Sequence, residues 1–409
     1  MNRRWKFLGL GGAAVALAVL GWYVWGADPV ADASATSANR QVQSSSATTL
    51  GGGSGGAGGT GTDGRSPYSP AGLQARQEQL TLWRGRYERA EQVYSSYRDS
   101  TRYPPESRPM AEHPDQVRPF APISEELKLR GANGEAVSGI RLRTTQERVF
   151  LSGAESVKFT VAAVDDSGNS LPLIVRNASA QSIPDSRTPI KVTQTSVVFS
   201  DDGAGADDQA GDGVYSARLT PSTQGFANYS GTIRLLAEVA SDSRQGVTQF
   251  DVVYTPDVPA TWAGVREALE AGSLNFYLKA NVRQAGRYVV SARVDDANGV
   301  PFALLQFNDE VAAGSREFKL QVFGALVLDK NPAFPLRLRD VDGFLLIPDR
   351  FPDRATMARQ SGVVYTSARY TRDRFSSAEW SSEERSRYLA EYGKDADTAR
   401  RQVETLTEK

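Results

Sequence analysis

The sequence predicts a mainly β protein. Two tandem immunoglobulin-like antiparallel β-sandwiches are preceded by a transmembrane helix, a Gly/Ser tether and an amphipathic helix, and followed by a polar, partly helical tail. Three observations predict this order. A charge-free stretch opens the chain, a glycine-rich stretch follows it, and from about residue 125 short runs of alternating apolar and polar residues recur between turn clusters. Alternation with a period of two marks strands with one buried face. Short strands at this spacing read as sandwiches.

The bulk composition excludes several function classes. The 409 residues suffice for two or three domains. Lys plus Arg total 47 and Asp plus Glu total 48, so no broad positive field is expected and nucleic acid is not expected as a partner. There is no cysteine, which removes disulfides, thiolate zinc sites and cysteine nucleophiles. The single histidine, His113, lies in the proline-flanked stretch "AEHPDQ". It reads as an exposed loop residue, and any histidine relay or metal triad would have to use it.

Residues 1–26 read as the anchor. Phe7 to Trp25 are nineteen residues without a charge, about 28 Å of helix and enough to cross a bilayer core. Arg3, Arg4 and Lys6 precede them. The positive-inside rule therefore places the N-terminus in the cytoplasm and the bulk of the chain outside, as for a single-pass inner-membrane protein. A cleaved signal peptide is the rival reading, with small residues for cleavage in "VADASA". Residues 27–69 form the tether. Nine glycines fall in 51–64, too few apolar groups to offset the entropy of ordering.

Residues 70–124 read as an amphipathic helix and a proline-rich connector. Leu73, Leu80, Trp83, Tyr87, Ala90, Tyr94 and Tyr97 form one stripe, at alternating steps of three and four after the first. Pro104 and Pro105 end it. The stripe packs either on its own domain or, as a short coiled coil, on another chain. The first sandwich is placed at 125–255 and the second at 256–350, with "TWAGVREALEAG" expected as a short connecting helix and "REFKLQVFGALVLD" as a strand. The tail, 351–409, is helix-prone and shows no clean apolar stripe.

Residues 201–215, "DDGAGADDQAGDGVY", hold five aspartates and four glycines. No lysine follows the glycines, so a phosphate loop does not fit. The spacing does not fit an EF-hand either. Asp201, Asp202, Asp207, Asp208 and Asp212 supply carboxylates on a backbone that glycine lets fold tightly. Hard cations take six to eight oxygens. Zinc and copper are disfavoured without a nearby nitrogen or sulfur ligand. Calcium is one reading of the run. A solvated Asp-Gly hairpin is the other.

"FSDDGAGADDQAGDGVYSARL" resembles the D-D-G…A-G-D-G-x-Y signature of β-sandwich modules in exported bacterial proteins, of the choice-of-anchor X domain type. The resemblance spans about 130–350. It implies a surface or periplasmic structural or adhesive module, with the run joining two strands and Tyr215 opening the second. The expected function is then a non-catalytic, membrane-anchored role at the bacterial envelope, with an envelope protein or a glycan as partner. A scaffold subunit of a secretion or pilus-type assembly is the alternative. A carbohydrate hydrolase is a further one, because acid pairs such as Asp165/Asp166, Asp295/Asp296 and Glu383/Glu384 could serve glycoside hydrolysis.

Overall fold

The computed structural model describes residues 70–408, apart from 132–133, 185–190 and 193. The expected membrane helix and tether lie outside the described residues. Among the described residues, no helix is long and apolar enough to cross a membrane. The chain is mainly β, in antiparallel sheets, with a helix at each end of the described region.

Helix α1, Pro70–Ser100, comes first. The short strand β1, Ser107–Pro109, follows two residues after the Pro104-Pro105 break. The first module then runs through β2 (Ile123–Arg130), β3 (Ala136–Gln146), β4 (Phe150–Ser152), β5 (Val157–Val164), β6 (Ser170–Leu171), β7 (Ile174–Ile183), β8 (Thr195–Ser196), β9 (Tyr215–Leu219), β10 (Gly231–Ser241) and β11 (Arg244–Thr255). The period-two pattern places Val157, Phe159, Val161 and Ala163 of β5 inward, and Ile233, Leu235, Ala237 and Val239 of β10 opposite them in one core.

These strands form one ten-stranded sheet, β6-β5-β3-β2-β11-β10-β7-β8, with β9 on β5 and β4 on β11. Strands β2 and β11 meet through a single residue pair, Arg130 with Val247. The sheet therefore folds over at that corner and its two halves face each other across the core. At the same corner a Cβ on Gly246 would come within 2.3 Å of the Arg130 carbonyl oxygen, so only glycine fits there.

The second module comprises β12 (Ala260–Glu270), β13 (Ser273–Val282), β14 (Gly286–Asp295), β15 (Pro301–Val311), β16 (Gly314–Val322), helix α2 (Gly324–Lys330), β17 (Arg337–Leu346), β18 (Arg354–Thr356) and β19 (Gln360–Thr366). It has two sheets, β12-β13-β16 and β1-β15-β14-β17-β18, with β19 on β17. Phe276, Leu278, Phe318 and Leu320 of one sheet pack on Tyr288, Val290, Ala292 and Leu338 of the other.

Two local expectations fail here. The expected helix at 261–270 is strand β12. It pairs with β13 across a two-residue turn, Ala271-Gly272, in which both residues have positive φ (48° and 70°), the backbone that tight hairpins need. The pairing overrides the helical preference of Ala, Leu and Glu. Conversely, 324–330 is helical, with Gly324, Ala325, Leu326 and Val327 buried. A short, wholly apolar run has no period that separates strand from helix.

Segments from outside 256–350 complete the second module. Strand β1 pairs with β15, Tyr103 and Phe375 join the core, and β18 and β19 extend the sheet. The first module is thus inserted between β1 and the rest of the second. The two meet where Ser152 Oγ accepts the Thr356 N–H at 2.9 Å and the Arg354 guanidinium lies between the Phe150 and Phe344 rings, at 4.8 and 4.7 Å.

The tail carries the helix α3, Glu383–Glu408. It does have a stripe: Leu389, Tyr392, Ala396, Ala399, Val403 and Leu406, at steps of three and four. Its small alanines and single tyrosine make it weak in hydropathy, which is why it escapes a sequence reading. The stripe packs antiparallel on that of α1. Arg76 donates to the Leu406 carbonyl at 2.7 Å, and Tyr97 meets Tyr388 and Tyr392 edge-on at 5.6 and 5.3 Å. The α1 stripe therefore packs within its own chain. The helices span about 46 and 39 Å.

The pair is rooted by a charged network. Arg102 grips Asp329 with two bonds (2.7 and 3.1 Å) and reaches Glu379 (2.8 Å), which Arg385 also holds (2.6 Å). Arg102 keeps the Asp329 carboxyl below the usual carboxylate range. Burial, with the Tyr103 hydroxyl donating to Asp329, pushes the Tyr103 phenol up to about 12.

Candidate metal centre in the Asp-Gly loop

The run 201–215 leaves and re-enters the first module at one point. Ser200 and Ser216 exchange both backbone hydrogen bonds, at 3.0 and 2.9 Å. Val197 and Phe199, before the run, are buried in the core. Tyr215 opens β9 and packs, partly buried, on the same core. Between these anchors the backbone turns tightly. Gly203 has φ 72°, and a Cβ there would lie 3.0 Å from the Ala210 amide nitrogen, so the close approach requires glycine.

Three carboxylates converge. Asp201, Asp207 and Asp212 each offer an oxygen, all within 4.8 Å of one another. Asp201 accepts the N–H groups of Gly211 (2.8 Å), Asp212 (3.2 Å) and Gly213 (3.1 Å). Asp207 is only 7% exposed. It accepts from the Gly203 N–H at 2.6 Å and the Ser216 hydroxyl at 3.3 Å. Asp212 accepts the Val214 N–H at 2.9 Å. Each carboxylate oxygen has two lone pairs, so these bonds orient the cluster and still leave lone pairs for a cation. The donors are all oxygen, as a hard cation requires.

The other two aspartates of the run stand apart from the cluster. Asp202 accepts the Ala204 N–H at 3.0 Å, a local turn. Asp208 is exposed and pairs with Lys158 at 2.7 Å. Ser216 was not legible as a site residue. Its signal is its place directly after Tyr215, where β9 carries it back beside Asp207. A shallow groove of about 270 Å³ adjoins the loop, lined by Thr145, Lys158, Thr160, Asp208 and Arg218 among others.

Two of the acid pairs have members in structural contacts. Asp165 caps a turn through Asn169 and Ser167, and the Asn169 side chain leads in holding its carboxyl below the usual range. Asp166 lies beside Arg141, which donates to its carbonyl at 2.9 Å. Asp295 pairs with Arg339 at 2.6 Å. Burial raises the Asp296 carboxyl, but the N–H groups of Val300, Asn298 and Ala333 outweigh it and hold it low. Glu383 and Glu384 sit in the first turn of α3. His113 ends a short 3-10 turn in the connector.

No family model matches the chain, and no curated protein matches it. Among solved structures it is similar to a DUF4785 family protein from Legionella pneumophila, at 15% identity and a TM-score of 0.36, over 56% of each chain. It thus spans little more than half the length of that protein. Domains A168–A170 of titin align at 9% identity and a TM-score of 0.17, over 59% of this chain and 88% of theirs. Likeness at this level says nothing about function.

Proposed function

We propose that this chain is a non-catalytic, membrane-anchored exported protein that presents two immunoglobulin-like β-sandwiches at the bacterial envelope to a protein or glycan partner. The helix pair is the observation that supports it. Both helices root in the second module, and α1 begins at Pro70, directly after the tether-and-anchor sequence. A stiff pair about 40 Å long between tether and β body suits a protein that holds a binding body off a surface. The D-D-G…A-G-D-G-x-Y resemblance points the same way. The expected outcome is a chain that stays with membranes after carbonate washing, with the region beyond residue 70 open to protease from the outside only. A mature N-terminus mapped near Asp28 or Ser34 would overturn the anchor.

We read the Asp-Gly loop as a calcium site held by Asp201, Asp207 and Asp212. Three carboxylates this close repel one another unless a cation screens them, and the bound ion would tie the start of β9 to Ser200. A ligand at one hundred times its dissociation constant stabilises the folded state by about 2.7 kcal/mol. The melting temperature should therefore rise in calcium and fall in chelator, with magnesium a poor substitute. Asp201→Asn and Asp212→Asn should remove the response, and Asp202→Asn should keep it. Superimposable melts in calcium and chelator would leave a solvated hairpin.

A further inference from the structure

Two helices that pack on each other leave most of their surface to solvent. No α1 residue is fully buried, and α3 buries only Arg385, Ala396 and Ala399. The two long flanks of the pair differ in chemistry. At roughly 100° per residue, Leu82, Arg86, Arg89 and Val93 fall to one side of the α1 stripe. Glu384, Tyr388, Glu391 and Asp395 fall to the corresponding side of the α3 stripe. Because the helices are antiparallel, these two sets share one flank of the pair.

Besides Leu73, which lies on the α1 stripe itself, the large apolar side chains exposed on the two helices are Leu82 and Val93, at 49%, and Tyr388, at 38%. All three lie on this flank. Its charges lean to opposite signs: α1 contributes Arg86 and Arg89, and α3 contributes Glu384, Glu391 and Asp395, with Arg387 at the edge stacked on Tyr388 at 5.4 Å and Lys394 3.9 Å from Glu391. Among the described residues, Arg86, Arg89 and Asp395 have no ion-pair partner. The opposite flank mixes both signs on each helix, with Arg84 and Glu88 on α1, and Asp397 and Arg400 on α3. There Arg400 is already paired with Asp397 at 2.9 Å.

We propose that the Leu82–Val93–Tyr388 flank docks a second copy of this chain, two helix pairs stacking face to face as an antiparallel four-helix bundle. A two-fold axis parallel to the helices lays α1 of one copy on α3 of the other. Arg86 and Arg89 then face Glu391 and Asp395 of the partner subunit, and the three apolar side chains are covered. The perpendicular axis would lay α1 on α1 and set arginine against arginine. Charge complementarity around an apolar strip selects the first arrangement.

Thiol crosslinking of the full-length chain in mild detergent tests this, because every thiol is an introduced one. Chains carrying Arg89→Cys mixed with chains carrying Asp395→Cys should give a disulfide-linked species of twice the chain mass. Arg84→Cys mixed with Asp397→Cys, on the other flank, should not. The double change Leu82→Asp and Val93→Asp should abolish the linked species and the concentration dependence of the melt while leaving the helical circular-dichroism signal in place, since both side chains are half-exposed in the single chain. The proposal is overturned if the control pair links as well as the test pair, if Arg89→Cys links best to itself, or if the unaltered chain sediments as a monomer throughout the micromolar range.

Discussion

The two β modules bury their cores by different means. The first uses one continuous sheet folded at the Arg130–Val247 corner, and its strands β2 to β11 form one unbroken stretch of sequence. The second uses two separate sheets, and it borrows β1 and Tyr103 from before the first module and Phe375 from after its own last strand. A module contiguous in sequence can fold as soon as it is made. An interrupted one must close loops across another domain first, at an entropic cost that grows with loop length. The difference also explains the seat of the helices. Tyr103 and Phe375 bring the two ends of the described chain to the second module, where Arg102, Asp329, Glu379 and Arg385 join them.

The largest test of this comparison is by dissection. Residues 118–256 alone should give a cooperative thermal transition, whereas 256–382 without 100–117 should not. A folded 256–382 fragment would show the borrowed segments to be dispensable.

Substitution sharpens the contrast. Arg293 is fully buried, and its guanidinium binds Asp342 at 2.5 Å, the Asp340 carbonyl at 3.0 Å and the Gln116 side chain at 2.5 Å. It therefore pins the connector to strands β14 and β17. Breaking a buried pair by removing one partner costs about 3–5 kcal/mol. Arg293→Met should lower the second module's transition by that amount and leave the first module's in place. Phe159→Ala, in the core of the first, should do the reverse at about 3–5 kcal/mol. Calorimetry that shows one merged transition moved by both would mean the modules unfold together.

The root network carries a smaller, pH-dependent contribution. Asp329 has its carboxyl depressed in the folded chain, chiefly by Arg102. Its stabilisation is present above the unfolded carboxylate value of about 4 and is lost as pH falls through the lower folded value. Asp329→Asn should cost about 1–2 kcal/mol at neutral pH and should flatten part of the loss of stability in acid. An unchanged acid limb in urea titrations would remove Asp329 from that role. Smallest of all, Asp208→Asn breaks an ion pair whose carboxylate is 92% exposed. It should shift the first module's stability by less than about 1 kcal/mol. A larger shift would give Asp208 a place in the cluster that its geometry does not.

Much of the candidate site was legible. The glycines of 201–215 announced a tight turn, the aspartates announced an oxygen donor set, and Tyr215 was expected to open the following strand. The sequence could not sort the five aspartates. Sorting depends on which carboxylates the Gly203, Gly211 and Gly213 amides capture, and that follows from the loop closing at Ser200 and Ser216. The strands with strict alternation, β5 and β10, were equally plain. Strand β12 and helix α2 were not, because hairpin pairing and burial on all sides outweigh local preference.

By itself, the sequence determined the strand-rich class, the α1 stripe, the place of the Asp-Gly loop and the absence of any thiol chemistry, since each rests on local periodicity or composition. Only the tertiary structure decided that α1 pairs with α3, that Asp201, Asp207 and Asp212 converge while Asp202 and Asp208 stand apart, and that the second module encloses the first in the chain order. Those facts join residues as far apart as Arg76 and Leu406. The energy of such contacts belongs to pairs of surfaces, and no window of sequence contains both members of the pair.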